Sequence, residues 1–188
     1  LQTIESMTVV GDKMYFGTGS TGAGNAMVFE YDGTDVTLVG GQGKNSSWPA
    51  FTYEIIPDMA SFGGDLYVGL GVTANDAEVW RYDPDTTTWT QVGGDSLNSG
   101  WTTTFEEISS LAAVGDYLYA GLGNTANDAE VWRWNGTIWA RIGGDSTNSG
   151  WTTNFDRVTR LSGYQGQLYA GLGSTAGEAE VWMWNGTI

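Results

Sequence analysis

The 188-residue sequence contains no cysteine and no histidine. Without thiols no disulfide can form, and the usual ligands for zinc, haem and thiol chemistry are missing. The sequence therefore predicts a fold held together by packing and hydrogen bonding. We expect no cofactor. Calcium is a minor alternative, with oxygen ligands from Asp95, Asn98, Asp145, Asn148 and nearby carbonyl groups.

Positive charge is also scarce. Only 7 Lys and Arg residues stand against 22 Asp and Glu residues, which gives a formal net charge of −15. This charge repels nucleic-acid phosphates and anionic lipid surfaces, so the sequence argues against nucleic-acid binding. No apolar run approaches the roughly 20 residues that a membrane-spanning helix needs. Glycans and other proteins remain as candidate partners.

What the sequence does contain is a tandem repeat. The block LYAGLG…TAxxAEVWxWNGTI occupies residues 118–138 and 168–188, and a close relative lies at 66–83. Repeats of about 50 residues are typical of propellers or solenoids. The aligned tyrosines of four units are 52, 52 and 50 residues apart: Tyr15, Tyr67, Tyr119 and Tyr169.

Hydrophobic periodicity in the third unit predicts four short strands, at 108–114, 117–122, 129–134 and 137–142. Gly115-Asp116 and Asn135-Gly136 are two-residue hairpin signals, and the second favours positive φ at both central positions. A solenoid with one strand per coil would need a shorter period. The predicted fold is therefore all-β, a β-propeller of four-stranded antiparallel blades, with about four blades in this chain.

The units divide the chain into a single propeller domain, 1–188. The predicted blades are approximately 1–52, 53–104, 105–154 and 155–188, and the last lacks its fourth strand. We expect these blades to belong to a larger ring, in a longer chain or with partner subunits. The open edge of the last blade also suggests self-association, because an unpaired strand edge invites pairing.

The second unit resembles the kelch repeat. The matching positions are a tyrosine in the third strand, an Asp-Pro turn and a tryptophan in the fourth strand: Tyr82, Asp83, Pro84 and Trp89, with Trp134 and Trp139 in the third unit. The residues at 69–71, Gly-Leu-Gly, depart from the family's glycine doublet. The first unit, with Phe29, Tyr31 and Val36, keeps less of the pattern. The resemblance implies a kelch-like propeller, with lectin-type propellers as more distant relatives, and says little about function.

Two long polar loops repeat almost unchanged. Strand direction alternates, so the loop between strands two and three and the loop to the next blade emerge at one end. The second loop occupies 93–105 and 143–155 and supplies our candidate ligand-binding residues: Asp95, Asn98, Trp101, Thr102, Asp145, Asn148, Trp151 and Thr152. A tryptophan face can pack against a sugar ring while the polar groups bond its hydroxyls.

A structural interpretation of the same loops stays open. Asp, Asn and Ser readily cap turns, and a tryptophan in a crossover loop can fill the gap between two blades. The tryptophans at 80, 132 and 182 are expected as wedges between blades, with Arg81 and Arg133 stacking on aromatic faces across the seam.

Three glutamates, Glu78, Glu130 and Glu180, begin the predicted third strands. Glycoside hydrolysis would require a second carboxyl within about 5 to 10 Å. An active site also needs one unique constellation, whereas these acids recur identically in three units. We therefore expect them to accept backbone N–H bonds from their own loops.

The sequence thus predicts a noncatalytic recognition module that binds glycans through repeated loop sites. The alternative is a structural or adhesion scaffold of an extracellular filament, surface appendage or virion. The acidic, lysine-poor composition favours an extracellular, cell-surface or virion setting.

Overall fold

The structure, a computed structural model, describes residues 2–49, 52–73, 75–94, 96–102, 104–125, 127–145, 147–151 and 155–186. In this part of the chain, strands form four antiparallel sheets and the only helical segments are two short 3-10 turns. No helix within these ranges is long and apolar enough to cross a membrane. The fold is an all-β propeller of four blades, which confirms the predicted class.

Each blade is a meander in which consecutive strands pair antiparallel. The first blade contains β1 (Thr3–Val10), β2 (Lys13–Gly19), β3 (Val28–Tyr31) and β4 (Val36–Gly40); the second contains β5 (Met59–Phe62), β6 (Asp65–Gly69), β7 (Val79–Asp83) and β8 (Thr88–Gly93); the third contains β9 (Ile108–Val114), β10 (Tyr117–Leu122), β11 (Glu130–Trp134) and β12 (Trp139–Gly143); and the fourth contains β13 (Val158–Tyr164), β14 (Gln167–Leu172) and β15 (Glu180–Trp184). The 3-10 turns span Lys44–Ser46 and Leu97–Ser99, in the loops that follow β4 and β8.

The turns of the third blade test the hairpin predictions. Gly115-Asp116 forms the predicted two-residue turn, with Val114 opposite Tyr117 and Gly115 at φ 59°. The prediction for Asn135-Gly136 is wrong in detail, because Trp134 pairs with Trp139 across a four-residue loop. There Oδ1 of Asn135 accepts the backbone N–H groups of Thr137 and Ile138, at 2.9 Å each. Asp32 and Asp83 do the same in the first two blades.

Neighbouring blades pack face to face. The inner strands β1, β5, β9 and β13 contact one another in succession, and three buried apolar clusters fill the seams between adjacent blades. Gly121 shows how close this approach is. A Cβ atom at that position would lie 2.6 Å from Cγ1 of Val158 in the next blade. The glycines of the second strands therefore permit the seams to close.

The two end blades expose apolar side chains. Val131 is 3% exposed at the seam between the third and fourth blades, whereas the equivalent Val181 in β15 is 76% exposed. On the first blade, Ile4, Met7 and Val9 are exposed. These two faces are where further blades would pack in the predicted larger ring.

Candidate functional site

The two kinds of long loop meet at one end of the propeller, as predicted from strand direction. The indole N–H of Trp101, in the crossover loop after β8, donates to the carbonyl of Ala77, in the loop between β6 and β7, at 2.7 Å. Trp48 makes the same bond to Ala26 in the first blade, at 2.9 Å. We call this end, formed by the loops at 20–27, 41–49, 70–78, 94–102, 123–129 and 144–151, the loop end, within the described residues.

The crossover tryptophans lie inside the seams. Trp101 is 2% exposed, and its ring packs edge-on against Trp132 and Trp139, at 5.8 and 5.2 Å between ring centroids. Trp48 packs in the same way against Trp80 and Trp89. Trp151, also buried, contacts the ring of Trp182 in the fourth blade. This burial is incompatible with the predicted role of Trp101 and Trp151 as faces for a sugar, and it matches the alternative that they fill gaps between blades.

The crossover asparagines also serve the fold. Asn98 and Asn148 adopt positive φ, at 52° and 50°. Their side-chain amides donate to the carbonyls of Val92 and Ile142, at 3.0 and 3.1 Å. Asn45 bonds Val39 in the same way. Each asparagine thus ties its loop to the end of the preceding outer strand.

The other predicted site residues are divided. Thr102 and Asp145 are exposed at the loop end, whereas Asp95 and Thr152 lie outside the described residues. Within the described ranges, no group of three or more acidic residues could hold a metal ion.

The structure brings a different set of side chains together at the seam of the second and third blades. A cavity of about 230 Å³ is lined by Thr102, Glu130, Trp132 and Arg141, together with the buried Trp101. We call it the seam cavity.

The carboxylate of Glu130 organises the seam cavity. Its Oε2 accepts the indole N–H of Trp132 at 2.7 Å, and its Oε1 accepts a bond from Nη1 of Arg141 at 2.5 Å. The predicted backbone partners of Glu130 are therefore replaced by two side chains. One carboxylate therefore orients both the guanidinium of Arg141 and the indole ring of Trp132.

Parts of this arrangement recur in the other seams. The indole N–H groups of Trp80 and Trp182 bond Glu78 and Glu180 in the same manner. The basic residue does not recur between the first two blades. There the position of Arg141, opposite the strand tryptophan, is held by Gln91.

Sequence reasoning assigned Trp132 a structural role and did not single out Arg141. The available signal was a difference between two units of the repeat. The fourth strand reads TWTQV at 88–92 and IWARI at 138–142, so that Gln91 and Arg141 occupy the same position. The predicted cation stacking is partly met. The Arg133 guanidinium lies 4.5 Å from the Tyr117 ring centroid within one blade, while Arg81 pairs with Asp65 at 2.9 Å.

A larger cavity, about 620 Å³, lies between the first two blades. Hydroxyl groups of Thr3, Ser20 and Thr73 and the carboxylates of Glu5 and Glu54 line it. No aromatic ring and no basic side chain is among the described residues that line this cavity. It therefore has fewer of the groups that a sugar-binding site uses.

One buried ion pair gives a pH-dependent prediction. Oε1 of Glu107 lies 2.7 Å from Nη2 of Arg157 in the next blade. Burial raises the pKa of Glu107 above its ordinary value of 4.5, the Arg157 guanidinium opposes that rise, and Glu106 adds to it. A carboxyl whose pKa is raised on folding stabilises the fold fully below the unfolded pKa and loses this contribution as pH rises through the folded pKa.

Glutamine resembles the protonated acid and does not titrate. We therefore expect the stability of Glu107→Gln, relative to that of the unmodified protein, to increase as the pH rises from 4 to 7. Thermal unfolding of both proteins at the two pH values measures this change. If the variant instead loses relative stability as the pH rises, the attraction of Arg157 outweighs burial.

Comparisons with known proteins identify the fold and not a family. No protein-family model and no curated protein matches the sequence. PorZ, an essential bacterial surface component of the type-IX secretion system of Porphyromonas gingivalis, matches 96% of this chain and 25% of its own, with a TM-score of 0.62 and 12% identity. An α-L-arabinofuranosidase from Clostridium thermocellum matches 96% of this chain and 67% of its own, with a TM-score of 0.54 and 14% identity.

A structural-genomics protein of unknown function from Bacteroides thetaiotaomicron has a TM-score of 0.53 and 16% identity, over 90% of this chain and 38% of its own. This chain thus spans about 38% of that protein and 25% of PorZ. At such identities the likeness shows the propeller fold alone.

Proposed function

We propose that this protein is a noncatalytic recognition module that binds a glycan in the seam cavity. The observation that carries the proposal is the convergence of an aromatic ring, a carboxylate, a guanidinium and a hydroxyl, from Trp132, Glu130, Arg141 and Thr102, in one cavity. An indole presents apolar surface to the C–H groups of a sugar, and the three polar groups donate to and accept from its hydroxyls.

The size of the cavity defines the ligand further. Its volume of about 230 Å³ is below the roughly 300 to 1,000 Å³ of sites for drug-sized ligands. A terminal monosaccharide unit fits this scale better than a long oligosaccharide. Arg141 offsets the charge of Glu130, so these two side chains give the cavity no net charge. This balance favours a neutral sugar over a charged one.

The same cavity supports binding over catalysis. Glycoside hydrolysis uses two carboxyl groups on opposite sides of the scissile bond. Glu130 supplies the one carboxyl among the described residues that line the seam cavity, and both of its oxygens already accept bonds. We assign it to ligand orientation. The relationship to an arabinofuranosidase by fold does not alter this assignment.

The setting belongs to the same proposal. PorZ is described as a bacterial surface component, and together with the acidic composition this supports an extracellular or cell-surface location. The kelch-like pattern of the second unit supports a relationship with that repeat family.

A glycan array followed by titration calorimetry tests the proposal. We expect Trp132→Ala and Arg141→Gln each to weaken glycan binding by about tenfold or more, because each removes a group that contacts the ligand. Trp80→Ala is the matched control, since Trp80 occupies the equivalent position in a seam that has Gln91 instead of arginine. It should leave binding unchanged.

Two results would count against glycan binding at this cavity. One is the absence of any bound glycan at millimolar concentrations. The other is an equal loss of affinity in Trp132→Ala and Trp80→Ala, which would indicate a general effect on the fold.

The scaffold alternative is favoured by the apolar end faces. Val181 and Met183 on the last blade, and Met7 and Val9 on the first, are at least half exposed. Such faces could join copies end to end. Light scattering across protein concentration distinguishes the two functions, because a scaffold should form oligomers without any sugar.

A further inference from the structure

Most hydrogen-bonding groups of the seam cavity already have partners within the protein. The indole N–H of Trp101 donates to the carbonyl of Ala77, and that of Trp132 donates to Oε2 of Glu130. The other carboxylate oxygen of Glu130 accepts a bond from Arg141. Both indole donors and both carboxylate oxygens are therefore engaged in the fold itself.

Arg141 holds most of the remaining hydrogen-bonding capacity. A guanidinium carries several N–H donors and no acceptor. Among the described residues, Arg141 bonds only Glu130, through Nη1, and 43% of its side chain is exposed. The exposed hydroxyl of Thr102 bonds no other described residue. The cavity thus offers more free donors than free acceptors.

The walls of the seam cavity are aromatic rings. Trp101 and Phe105 are buried, at 2% and 8% exposed, and Trp132 is partly buried. All three rings line the cavity. A small apolar group of a ligand can pack among these rings. A hydroxyl group in the same place would lose its hydration without gaining an acceptor.

Charge limits the ligand further. Arg141 and Glu130 form an ion pair, so these two side chains add no net charge to the cavity. The protein as a whole carries a formal net charge of −15, which disfavours an anionic ligand. The ligand group that suits the cavity is therefore a neutral hydrogen-bond acceptor with an apolar end.

We propose that the glycan recognised in the seam cavity is an N-acetylated sugar. This inference rests on the proposed glycan-binding function and narrows it to one ligand class. The acetamido carbonyl accepts hydrogen bonds from the free N–H groups of Arg141, and the methyl group packs among the aromatic rings of the wall. A sugar with hydroxyl groups alone has no part that combines an acceptor without a proton and an apolar end.

Matched pairs of sugars test the proposal. The methyl glycosides of N-acetylglucosamine and glucose differ only in the acetamido group, and those of N-acetylgalactosamine and galactose form a second pair. In at least one pair, titration calorimetry should show about tenfold or more tighter binding of the N-acetylated member, the effect of one hydrogen bond to a charged group. The methyl glycoside of glucuronic acid, which offers a carboxylate, should bind more weakly than that member.

Arg141→Lys identifies the protein group responsible. Lysine keeps the positive charge and can still donate to Glu130, but it lacks the planar fork of the guanidinium. We expect this variant to bind sugars without a preference for the N-acetylated member. Arg133→Lys is the matched control, because the Arg133 guanidinium lies 4.5 Å from the Tyr117 ring centroid and does not line the cavity. It should retain the preference, and thermal unfolding confirms that both variants are folded.

Four results would overturn the proposal. Equal affinity within both pairs would show sugar binding without recognition of the acetamido group, and the glycan-binding function would stand. Tighter binding of the glucuronic acid glycoside would assign the cavity to an acidic sugar. An unchanged preference in Arg141→Lys would exclude the guanidinium as the donor. Binding of no sugar at millimolar concentration would remove both this inference and the glycan-binding function.

Discussion

Trp101→Ala is expected to lower the free energy of unfolding by about 3 to 5 kcal/mol, the range measured for removing a large buried aromatic ring. The ring is 2% exposed and contacts Trp132 and Trp139 of the next blade. Its indole N–H also satisfies the carbonyl of Ala77. The substitution leaves a cavity in the seam and an unpaired buried acceptor, and both effects destabilise the fold.

Denaturant titration followed by circular dichroism measures the loss. Trp132→Ala is the control within the same cluster, because that ring is only partly buried and lines the seam cavity. Trp132→Ala should lower the free energy of unfolding less than Trp101→Ala does. It should also weaken glycan binding more. Equal stability losses would show that burial does not separate the two tryptophans, and an unchanged midpoint for Trp101→Ala would remove that ring from the core.

The strand pattern was predictable because it depends on local alternation and turn chemistry. In the third blade, β9 and β10 begin and end where the sequence places them, on either side of Gly115-Asp116. The outer hairpin was less predictable. Asn135 allows either a tight turn with positive φ or a wider loop closed by its side chain. The wider loop places Trp139 opposite Trp134, where its indole N–H bonds the carbonyl of Val92 in the preceding blade.

The candidate site was predicted only as far as the end of the propeller on which it lies. Strand direction placed both long loops together, but the sequence could not show whether Trp101 faces solvent or a seam. An aromatic residue among Asp, Asn and Thr suits either role, and the outcome depends on contacts with residues about 30 positions away, such as Trp132. Arg141 escaped notice because its partner Glu130 lies in a different strand.

The proposed glycan site lies where one unit departs from the repeated pattern. The Glu-x-Trp pair recurs in the second, third and fourth blades, where the glutamate accepts the indole N–H of the tryptophan in the same way. The position opposite the strand tryptophan varies between the two seams that can be compared, with Gln91 in the second blade and Arg141 in the third. Arg141 forms an ion pair with Glu130, so the seam cavity contains both a positive and a negative side chain.

Gly71→Ala is expected to destabilise the protein by about 2 to 6 kcal/mol, because conformational strain of roughly 1 to 3 kcal/mol adds to an overpacking cost of about 1 to 3 kcal/mol. Gly71 has φ 143°, which side-chain-bearing residues rarely adopt. A Cβ atom there would lie 2.2 Å from the carbonyl oxygen of Glu106 and 2.4 Å from Cα of Glu107. Both atoms belong to the backbone of the next blade and cannot move independently.

Gly115→Ala separates the two contributions. Gly115 also has positive φ, at 59°, yet no atom lies within 4 Å of the position its Cβ would take. Only the cost of the left-handed conformation applies there, about 1 to 2 kcal/mol. Denaturant unfolding of both variants should therefore show a clearly larger loss for Gly71→Ala. Equal losses would mean that the bridge between Gly71 and Glu107 can open without cost, and that the seams do not require glycine for close approach.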